Sequence, residues 1–386
     1  MTPVTAYLGA RIFDGERWHD DAALLAGPDG VEGIISSDAV GDRPTERLAG
    51  GMLVPGFVDL QVNGGGGALV DENTTVETLR TICATYYRFG TTALLPTLIT
   101  NTREVTQRVI DAGVAAAAAR IPGFLGLHLE GPHLSIARKG AHDPKLIRPM
   151  AEADVEMLVA ARKRLPNLLT TVAVETVTPE QIGRLAGGGL IVSIGHSDGT
   201  LAQVEAAAGA GASMVTHLFN AQSQIGNREP GLVGATLADG RLNAGLIADG
   251  IHVHRASIGI ALRAKQGPGR IFLVTDAMSM TGTDLKSITL NGRTIIRSEG
   301  ALRLADGTLA GADLTMIDAV KFMHKRIGLS LEEALRMAST YPANALGVGQ
   351  HMGHLRAGAA ADFLHLSDDL SVRGTWIGGA SVFAAS

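Results

Sequence analysis

The chain has 386 residues, of which 33 are basic and 38 acidic, so its formal net charge at pH 7 is −5. This mild acidity argues against a nucleic acid as the main partner, because phosphate backbones require basic surfaces. Hydrophobic residues make up 46% of the chain and charged residues 18%, which excludes a disordered protein and permits a substantial core.

The N-terminal residues lack the basic start and apolar run of a secretory signal. No segment approaches the roughly 18 consecutive apolar residues of a membrane span. Cys83 is the only cysteine, so no internal disulfide can form and a reducing compartment is expected. These features predict a cytoplasmic protein that does not bind membranes.

Both ends of the chain predict short β-strands. At the N-terminus, turn signals such as Asp14-Gly15 and Asp29-Gly30 separate apolar segments at residues 4–8, 22–25 and 31–35. The C-terminal end has the same character at residues 362–366 and 371–377. We expect residues 1–53 and 350–386 to form one small β-sandwich domain.

Residues 54–349 alternate apolar strands with amphipathic helices, such as those at 76–89, 103–119, 153–165 and 201–208. The predicted strand cores are 57–62, 93–99, 124–129, 171–175, 190–194, 214–219, 242–248 and 271–275. Eight such units over about 250 residues have the size of an α/β fold of the (β/α)8 TIM-like barrel type. An open doubly wound sheet gives the same alternation, but no G-x-G-x-x-G motif follows the first strand.

Polar side chains stand at the carboxyl ends of seven of these eight strands. They are Asp59, Gln61, Asn63, His128, Glu130, Glu175, His196, His217, Asn220, Asp249, His252 and Asp276. Because the carboxyl ends of barrel strands converge on one mouth, this pattern predicts an active site there.

Glu130 suggests a metal ion at this mouth. Strand alternation places it on the inward face, opposite the leucines of its strand, and an ionised carboxylate buried there requires a cation. With His196 and His217 it forms a donor set that resembles a catalytic His₂Glu zinc site with water as the fourth ligand. The alternative is that each histidine is only a hydrogen-bonded core residue.

Asp276 follows a buried apolar run and is the candidate general base and acid. Such a carboxylate would take the proton of the attacking water and pass it to the leaving group. The alternative is a helix N-cap.

Several motifs together resemble the N-acetylglucosamine-6-phosphate deacetylase family of the amidohydrolase superfamily. They are PGFVDLQVNG (55–64), HLEGP (128–132), GHSD (195–198), THLFNA (216–221), ADGIH (248–252), TDAM (275–278), PANALG (342–347) and GAAAD (358–362). The resemblance covers essentially the whole chain. It implies hydrolysis of N-acetyl-D-glucosamine 6-phosphate to D-glucosamine 6-phosphate and acetate, in amino-sugar metabolism.

The resemblance also implies roles for individual residues. Glu130, His196 and His217 would bind one divalent metal, with Zn²⁺ expected and Fe²⁺ as the alternative. Asp276 would be the catalytic base and acid, and His252 would polarise the acetamide carbonyl. Substrate contacts would come from Ala141, His142, Asn220, Ala221, Arg228, Asp249, His252, Leu309, Ala310 and Gly311, of which Ala141, His142 and Arg228 would hold the sugar phosphate. The family is usually dimeric, so we expect a homodimer that supplies a phosphate-binding residue across its interface.

The first-strand motif departs from one superfamily pattern. Gln61 and Asn63 stand where many members carry His-x-His for a second metal, and amides are poor zinc ligands, so a second metal is not expected. Both are interpreted as hydrogen-bonding residues that fix the first-strand turn. His133, beside the Glu130 corner, is interpreted as a loop histidine, with substrate contact as the alternative.

Two other functional hypotheses stay open. One is a different amidohydrolase reaction on another amide or as a deaminase, such as dihydroorotase-like, adenine-deaminase-like or dipeptidase chemistry. The other is a non-catalytic barrel that uses a degenerate site for binding.

Overall fold

The structure is a computed structural model that describes residues 4–290 and 292–385. The chain divides into two compact units. The first contains Met1–Asp59, Ala84–Ala93 and Thr315–Ser386, and the second contains Leu60–Cys83 and Leu94–Leu314. The domain boundaries expected from the sequence, 1–53 with 350–386 and 54–349, stay a prediction.

The N-terminal part of the chain consists of short strands, as predicted. They are β1 (Thr5–Leu8), β2 (Arg11–Phe13), β3 (Trp18–His19), β4 (Ala22–Gly27), β5 (Gly30–Ser36), β6 (Thr45–Arg47) and β7 (Met52–Pro55), with a 3₁₀ turn at Ser37–Ala39. Four of them form a sheet in the order β5-β4-β1-β6.

The next ten strands include the eight parallel strands of the central sheet. The ten are β8 (Phe57–Val62), β9 (Gly64–Gly65), β10 (Ala68–Leu69), β11 (Thr91–Ile99), β12 (Leu127–Glu130), β13 (Leu168–Val172), β14 (Ile191–Ile194), β15 (Met214–Val215), β16 (Asn243–Leu246) and β17 (Ile271–Leu273). β9 and β10 form a separate hairpin, and the other eight follow one another in chain order from β8 to β17. A bridge between Val62 and Ala277 nearly closes the barrel, so the predicted (β/α)8 class is confirmed.

Seven helices lie between these strands. They are α1 (Val76–Tyr87), α2 (Arg103–Ala118), α3 (Glu152–Arg162), α4 (Pro179–Gly187), α5 (Leu201–Ala210), α6 (Gly231–Ala238) and α7 (Arg255–Ala264), with a 3₁₀ turn at Ile136–Arg138. The local sequence determines where two of these helices begin. Thr178 caps the N-terminus of α4 and Thr200 caps that of α5, and in each case a glutamine three residues later completes a capping box. No helix in the described ranges is long and apolar enough to span a membrane.

An antiparallel sheet follows the last barrel strand. It contains β18 (Ser287–Leu290), β19 (Arg293–Ser298), β20 (Ala301–Leu304) and β21 (Leu309–Ala312) in sequential order. Leu290, Ile295, Leu302 and Leu304 of this sheet share an apolar cluster with Met278 and other residues that follow β17. The sheet is thereby packed beside the carboxyl ends of the barrel strands.

Helices and strands from the C-terminal part complete the first unit. They are α8 (Met316–Phe322), a π-helical turn (Met323–Ile327), α9 (Leu331–Ala338), α10 (Thr340–Leu346), β22 (Phe363–Leu366), β23 (Val372–Ile377) and β24 (Ala380–Ala384). A six-stranded sheet in the order β24-β23-β22-β7-β2-β3 joins the two chain ends, as expected. Its core includes Phe363 and Trp376, whose rings stack at 4.8 Å between centroids.

The fourth barrel strand differs from its prediction of residues 171–175. β13 covers Leu168–Val172, the residues that pair with β12 and β14, and the Thr171 hydroxyl lies 2.7 Å from both His128 Nε2 and Thr216 Oγ1. Glu175 therefore lies beyond the strand on an exposed loop, where it accepts hydrogen bonds from Ser197 Oγ and Asp198 N.

Candidate active site

Four of the predicted site residues lie at or just beyond the carboxyl ends of barrel strands. Glu130 is the last residue of β12, while His196, His217 and Asp276 follow β14, β15 and β17 by two or three residues. The backbones of these last three have positive φ angles of 47°, 29° and 52°. Such angles are uncommon outside glycine and cluster at functional sites. The turns direct all three side chains into one cavity.

Glu130, His196 and His217 bring three donor atoms close together. Glu130 Oε1 lies 3.0 Å from His217 Nε2 and 3.2 Å from His196 Nε2, and the two imidazole nitrogens are 3.1 Å apart. All three side chains are buried. Although burial opposes it, the His196 and His217 imidazoles beside the carboxylate hold the pKa of Glu130 well below its usual range. The carboxylate is therefore ionised and available to a cation.

His142 lies at the same end of the cavity. Donor atoms of Glu130, His142 and His196 lie within 4.8 Å of one another and could also hold a metal ion. The hydrogen bonds of the two histidines differ, however. His196 Nδ1 donates to the Arg138 carbonyl at 2.8 Å, which leaves the Nε2 lone pair for a ligand.

His142 has the opposite tautomer. Its Nδ1 accepts from the Thr100 backbone N–H at 3.3 Å and lies 2.7 Å from the Thr100 hydroxyl. Burial, followed by the neighbouring His196, lowers the pKa of His142 to about 3, so the ring is neutral. Its proton is then on Nε2, which lies 3.8 Å from Glu130 Oε2. His142 is therefore suited to donate a hydrogen bond rather than to bind a metal.

Gln61 and Asn63 both donate hydrogen bonds to Asp276. Gln61 Nε2 lies 3.1 Å from Asp276 Oδ1 and 3.2 Å from Glu130 Oε1, and Asn63 Nδ2 lies 2.6 Å from Asp276 Oδ1. Burial and then the Glu130 charge raise the pKa of Asp276, while the Asn63 hydrogen bond opposes the rise. The amide N–H groups of Gln61 and Asn63 thus face Asp276. A second cation at this position would need ligands with lone pairs, which N–H groups do not offer.

His252 and Asp249 form a close pair. His252 Nδ1 lies 2.6 Å from Asp249 Oδ2, and Asp249 Oδ1 accepts from the backbone N–H groups of Ile251 and His252 at 2.8 Å. His252 lines the cavity, whereas Asp249 is not among the lining residues. Asp249, which was expected to contact the substrate, therefore contacts the His252 ring and not the cavity.

The cavity beside these residues has a volume of about 390 Å³. The predicted contacts Ala141, His142, Asn220, Ala221, Leu309, Ala310 and Gly311 all line it. Gly311 has a φ of +67°, and a Cβ there would lie 2.5 Å from Met278 Cγ and 3.0 Å from the Asp276 carbonyl oxygen. Only glycine fits this close approach.

The positions of two arginines, Arg228 and Arg303, were not expected from the sequence. Arg228 is exposed and does not line the cavity, whereas Arg303 of β20 does line it and was not singled out from the sequence. Arg303 is the one charged residue in the run Ala301-Leu302-Arg303-Leu304, and it comes shortly before Leu309, an expected substrate contact. This pattern could have indicated from sequence that Arg303 lies near the site.

His133 is a buried histidine outside the cavity. Its Nδ1 donates to the Arg148 carbonyl at 3.1 Å, and its Nε2 lies 3.9 Å from Asp154 Oδ2. These contacts fit the interpretation of a loop histidine, because they tie the segment after Glu130 to the start of α3.

The chain is similar to known proteins over most of its length. The model of the amidohydrolase family matches residues 52–382. An N-acetylgalactosamine-6-phosphate deacetylase from Shewanella sp. (strain ANA-3) is 42% identical over 92% of this chain and 89% of its own length. The crystal structure of an N-acetylglucosamine-6-phosphate deacetylase from Pasteurella multocida has a TM-score of 0.95 and 33% identity, covering 99% of this chain and 100% of the other.

A third match carries a bound sugar. A mutant N-acetyl-D-glucosamine-6-phosphate deacetylase from Mycobacterium smegmatis, solved in complex with N-acetyl-D-glucosamine-6-phosphate, has a TM-score of 0.92 and 30% identity. The alignment covers 99% of this chain and 100% of that one.

Proposed function

This chain belongs to the amidohydrolase family of hydrolases, and we propose that it converts N-acetyl-D-glucosamine 6-phosphate to D-glucosamine 6-phosphate and acetate. The observation that carries the proposal is the convergence of Glu130, His196 and His217 next to Asp276 in one cavity. The named relatives and the sugar-bound neighbour support the substrate class, a phosphorylated amino sugar.

The family implies a divalent metal, and we propose that Glu130, His196 and His217 hold one Zn²⁺ ion. Zinc–ligand bonds of about 2.0–2.1 Å place tetrahedral donors roughly 3.3 Å apart, close to the separations of 3.0–3.2 Å seen here. A carboxylate and two bare imidazole nitrogens suit this metal, with Fe²⁺ as the alternative. When bound, the ion acts as a Lewis acid and brings the pKa of water near 7.

Asp276 moves the proton in the proposed reaction. Its carboxylate, held by Asn63 and Gln61, accepts a proton from the attacking water and returns it to the nitrogen of the departing amine. The carbon–nitrogen bond of the acetamide breaks as that nitrogen is protonated, and acetate and the free amine leave.

Two histidines are proposed to contact the acetyl group. Asp249 holds the proton of His252 on Nδ1, so its Nε2 would accept a hydrogen bond from the acetamide N–H or a sugar hydroxyl rather than polarise the carbonyl as expected from the sequence. His142 offers an Nε2–H donor next to Glu130 and would stabilise negative charge on the acetyl oxygen. For His142, this proposed role differs from the phosphate contact expected from the sequence, because its Nε2 lies 3.8 Å from Glu130 Oε2, at the proposed metal end of the cavity.

We further propose a cytoplasmic homodimer in which Arg228 reaches the partner's substrate. Arg228 is exposed outside the cavity of its own chain, and Ile225 on the same loop is 54% exposed, which suits an interface. The buried single cysteine, Cys83, suits a reducing compartment. Light scattering coupled to size-exclusion chromatography would test the dimer, and a monomeric mass would contradict it.

The experiment that tests the reaction is acetate release by the Zn²⁺-loaded protein from N-acetyl-D-glucosamine with and without the 6-phosphate. Efficient release from the phosphorylated sugar is expected. No release from either sugar would overturn the proposal.

N-acetyl-D-galactosamine 6-phosphate is a second candidate substrate, because the 42% identical relative is named for it. The ratio of kcat/KM for the two phosphorylated sugars decides between them.

A further inference from the structure

We infer that Arg303 is a specificity-determining residue that binds the phosphate group of the substrate from within the same chain. The inference rests on the proposed function, since it concerns a phosphorylated sugar in the same cavity. It goes further than the proposed function, because Arg303 belongs neither to the proposed metal ligands nor to the substrate contacts predicted from the sequence.

The position of Arg303 supports this role. It lies on β20, and together with Gly307 and Thr308 of the following turn it lines the cavity. Its Nη1 donates to the Gly307 carbonyl at 3.1 Å, which orients the guanidinium. A guanidinium has five N–H donors in a planar fork that matches two phosphate oxygens, so donors remain for a ligand.

Arg303 is also unpaired in charge within the described residues, where no carboxylate lies within salt-bridge distance of it. The nearby Arg293 instead donates to the Ala141 carbonyl. At the same turn, hydrogen bonds from Thr308 and then the charges of Lys139 and Arg293 lower the pKa of Asp306. The turn therefore lies in a region of positive charge, although Asp306 offsets part of it.

The arrangement of the cavity favours the same assignment. Its deep end holds Glu130, His196 and His217, the proposed metal ligands, with Asp276 beside them, so the acetyl group of the substrate belongs there and the phosphate belongs elsewhere in the cavity. Arg303 is exposed, and it is the only lysine or arginine among the residues that line the described cavity. Among the side chains of its own chain that line the described cavity, Arg303 is the one that offers such a substrate a permanent positive charge.

The test compares Arg303→Met with Arg228→Met and with Arg263→Met as a matched control, since Arg263 is exposed on α7 and does not line the cavity. KM and kcat are measured for N-acetyl-D-glucosamine 6-phosphate and for the unphosphorylated sugar, with Zn²⁺-loaded protein. Arg303→Met should raise KM for the phosphorylated sugar about 10- to 100-fold and leave kcat within about twofold. The kcat/KM for the unphosphorylated sugar should not change.

Arg303→Lys keeps the charge but loses the fork, and it should recover part of the lost affinity. It also keeps the test informative if the methionine variant folds poorly. An unchanged KM in both Arg303 variants would overturn the inference, and a KM increase only in Arg228→Met would assign the phosphate to Arg228. Absence of acetate release by the wild-type protein would instead overturn the proposed function itself.

Discussion

Asn63 and Asp276, which are 213 residues apart in the chain, are joined by a hydrogen bond of 2.6 Å from Asn63 Nδ2 to Asp276 Oδ1. Asn63 Nδ2 also lies 3.3 Å from the Asp276 carbonyl oxygen. The segments that follow the first and last strands of the barrel are thereby linked at the proposed catalytic carboxylate, to which the amide donates.

Replacing Asp276 with asparagine should remove most activity but not the metal. The amide cannot accept and return a proton, so kcat should fall about 10³-fold. Metal content, measured by elemental analysis, should stay at one ion per chain. Asp284→Asn is the matched control because Asp284 is exposed and does not line the cavity. A near wild-type rate in the Asp276 variant would contradict the proposed mechanism.

The Asn63→Leu variant should shift the pH profile. Since the Asn63 hydrogen bond lowers the pKa of Asp276, its loss should raise that pKa by about one unit. The base must be ionised to accept a proton, so the acidic limb of kcat/KM should move to higher pH. Activity would then fall more at pH 6 than at pH 8. An equal loss at both pH values would show that Asn63 acts only through structure.

His217→Ala should lose the metal. Removing one of three proposed ligands leaves Glu130 and His196, too few to retain a zinc ion through dialysis. Elemental analysis should give much less than one ion per chain and acetate release should fall in parallel. His351→Ala, at an exposed histidine, should keep wild-type metal content. Full metal occupancy in the His217 variant would favour the alternative set of Glu130, His142 and His196.

Asp249→Asn should lower kcat about 10-fold without changing metal content, because the His252 ring loses its carboxylate partner. His252→Gln should be at least as impaired. The double variant should be no worse than His252→Gln alone, since Asp249 acts through that ring. Additive losses in steady-state kinetics would instead indicate a separate contact between Asp249 and the substrate.

Asp154 should stabilise the fold in a pH-dependent way. Burial opposes ionisation, but hydrogen bonds from Arg148, Ala151 and Arg103 hold the pKa of Asp154 far below its ordinary value. A folded-state pKa below the unfolded one adds stability above about pH 4, and this stability is lost as the pH falls further. Asp154→Asn should therefore reduce the free energy of unfolding by about 2–3 kcal/mol at pH 7.

Denaturant unfolding at pH 7 and pH 3 measures this effect. The difference in the free energy of unfolding between Asp154→Asn and wild type should be smaller at pH 3. Glu152→Gln is the control, because its ion pair with Arg184 is about half exposed on both sides and should add little to the free energy of unfolding. If Asp154→Asn lowered the free energy of unfolding by the same amount at pH 3 as at pH 7, the low pKa assigned to Asp154 in the folded protein would be contradicted.

The family resemblance drawn from the sequence motifs is confirmed by the matches to the amidohydrolase family and to the named deacetylases. The barrel was also predictable, because alternating apolar strands and amphipathic helices are local patterns. Glu130, His196, His217 and Asp276 could be chosen from sequence for a related reason: strand ends are local features, and a parallel barrel brings all of them to one mouth.

Only the tertiary structure decided which groups touch within that mouth. Glu175 lies outside the site because β13 begins and ends three residues earlier than predicted. The side-chain amides of Gln61 and Asn63 donate hydrogen bonds to Asp276. The tautomer of His142 depends on Thr100, and the place of Arg303 depends on a sheet folded beside the barrel. Hydrogen bonds and charges act over a few ångströms between residues far apart in sequence, so local patterns cannot specify them before the barrel closes.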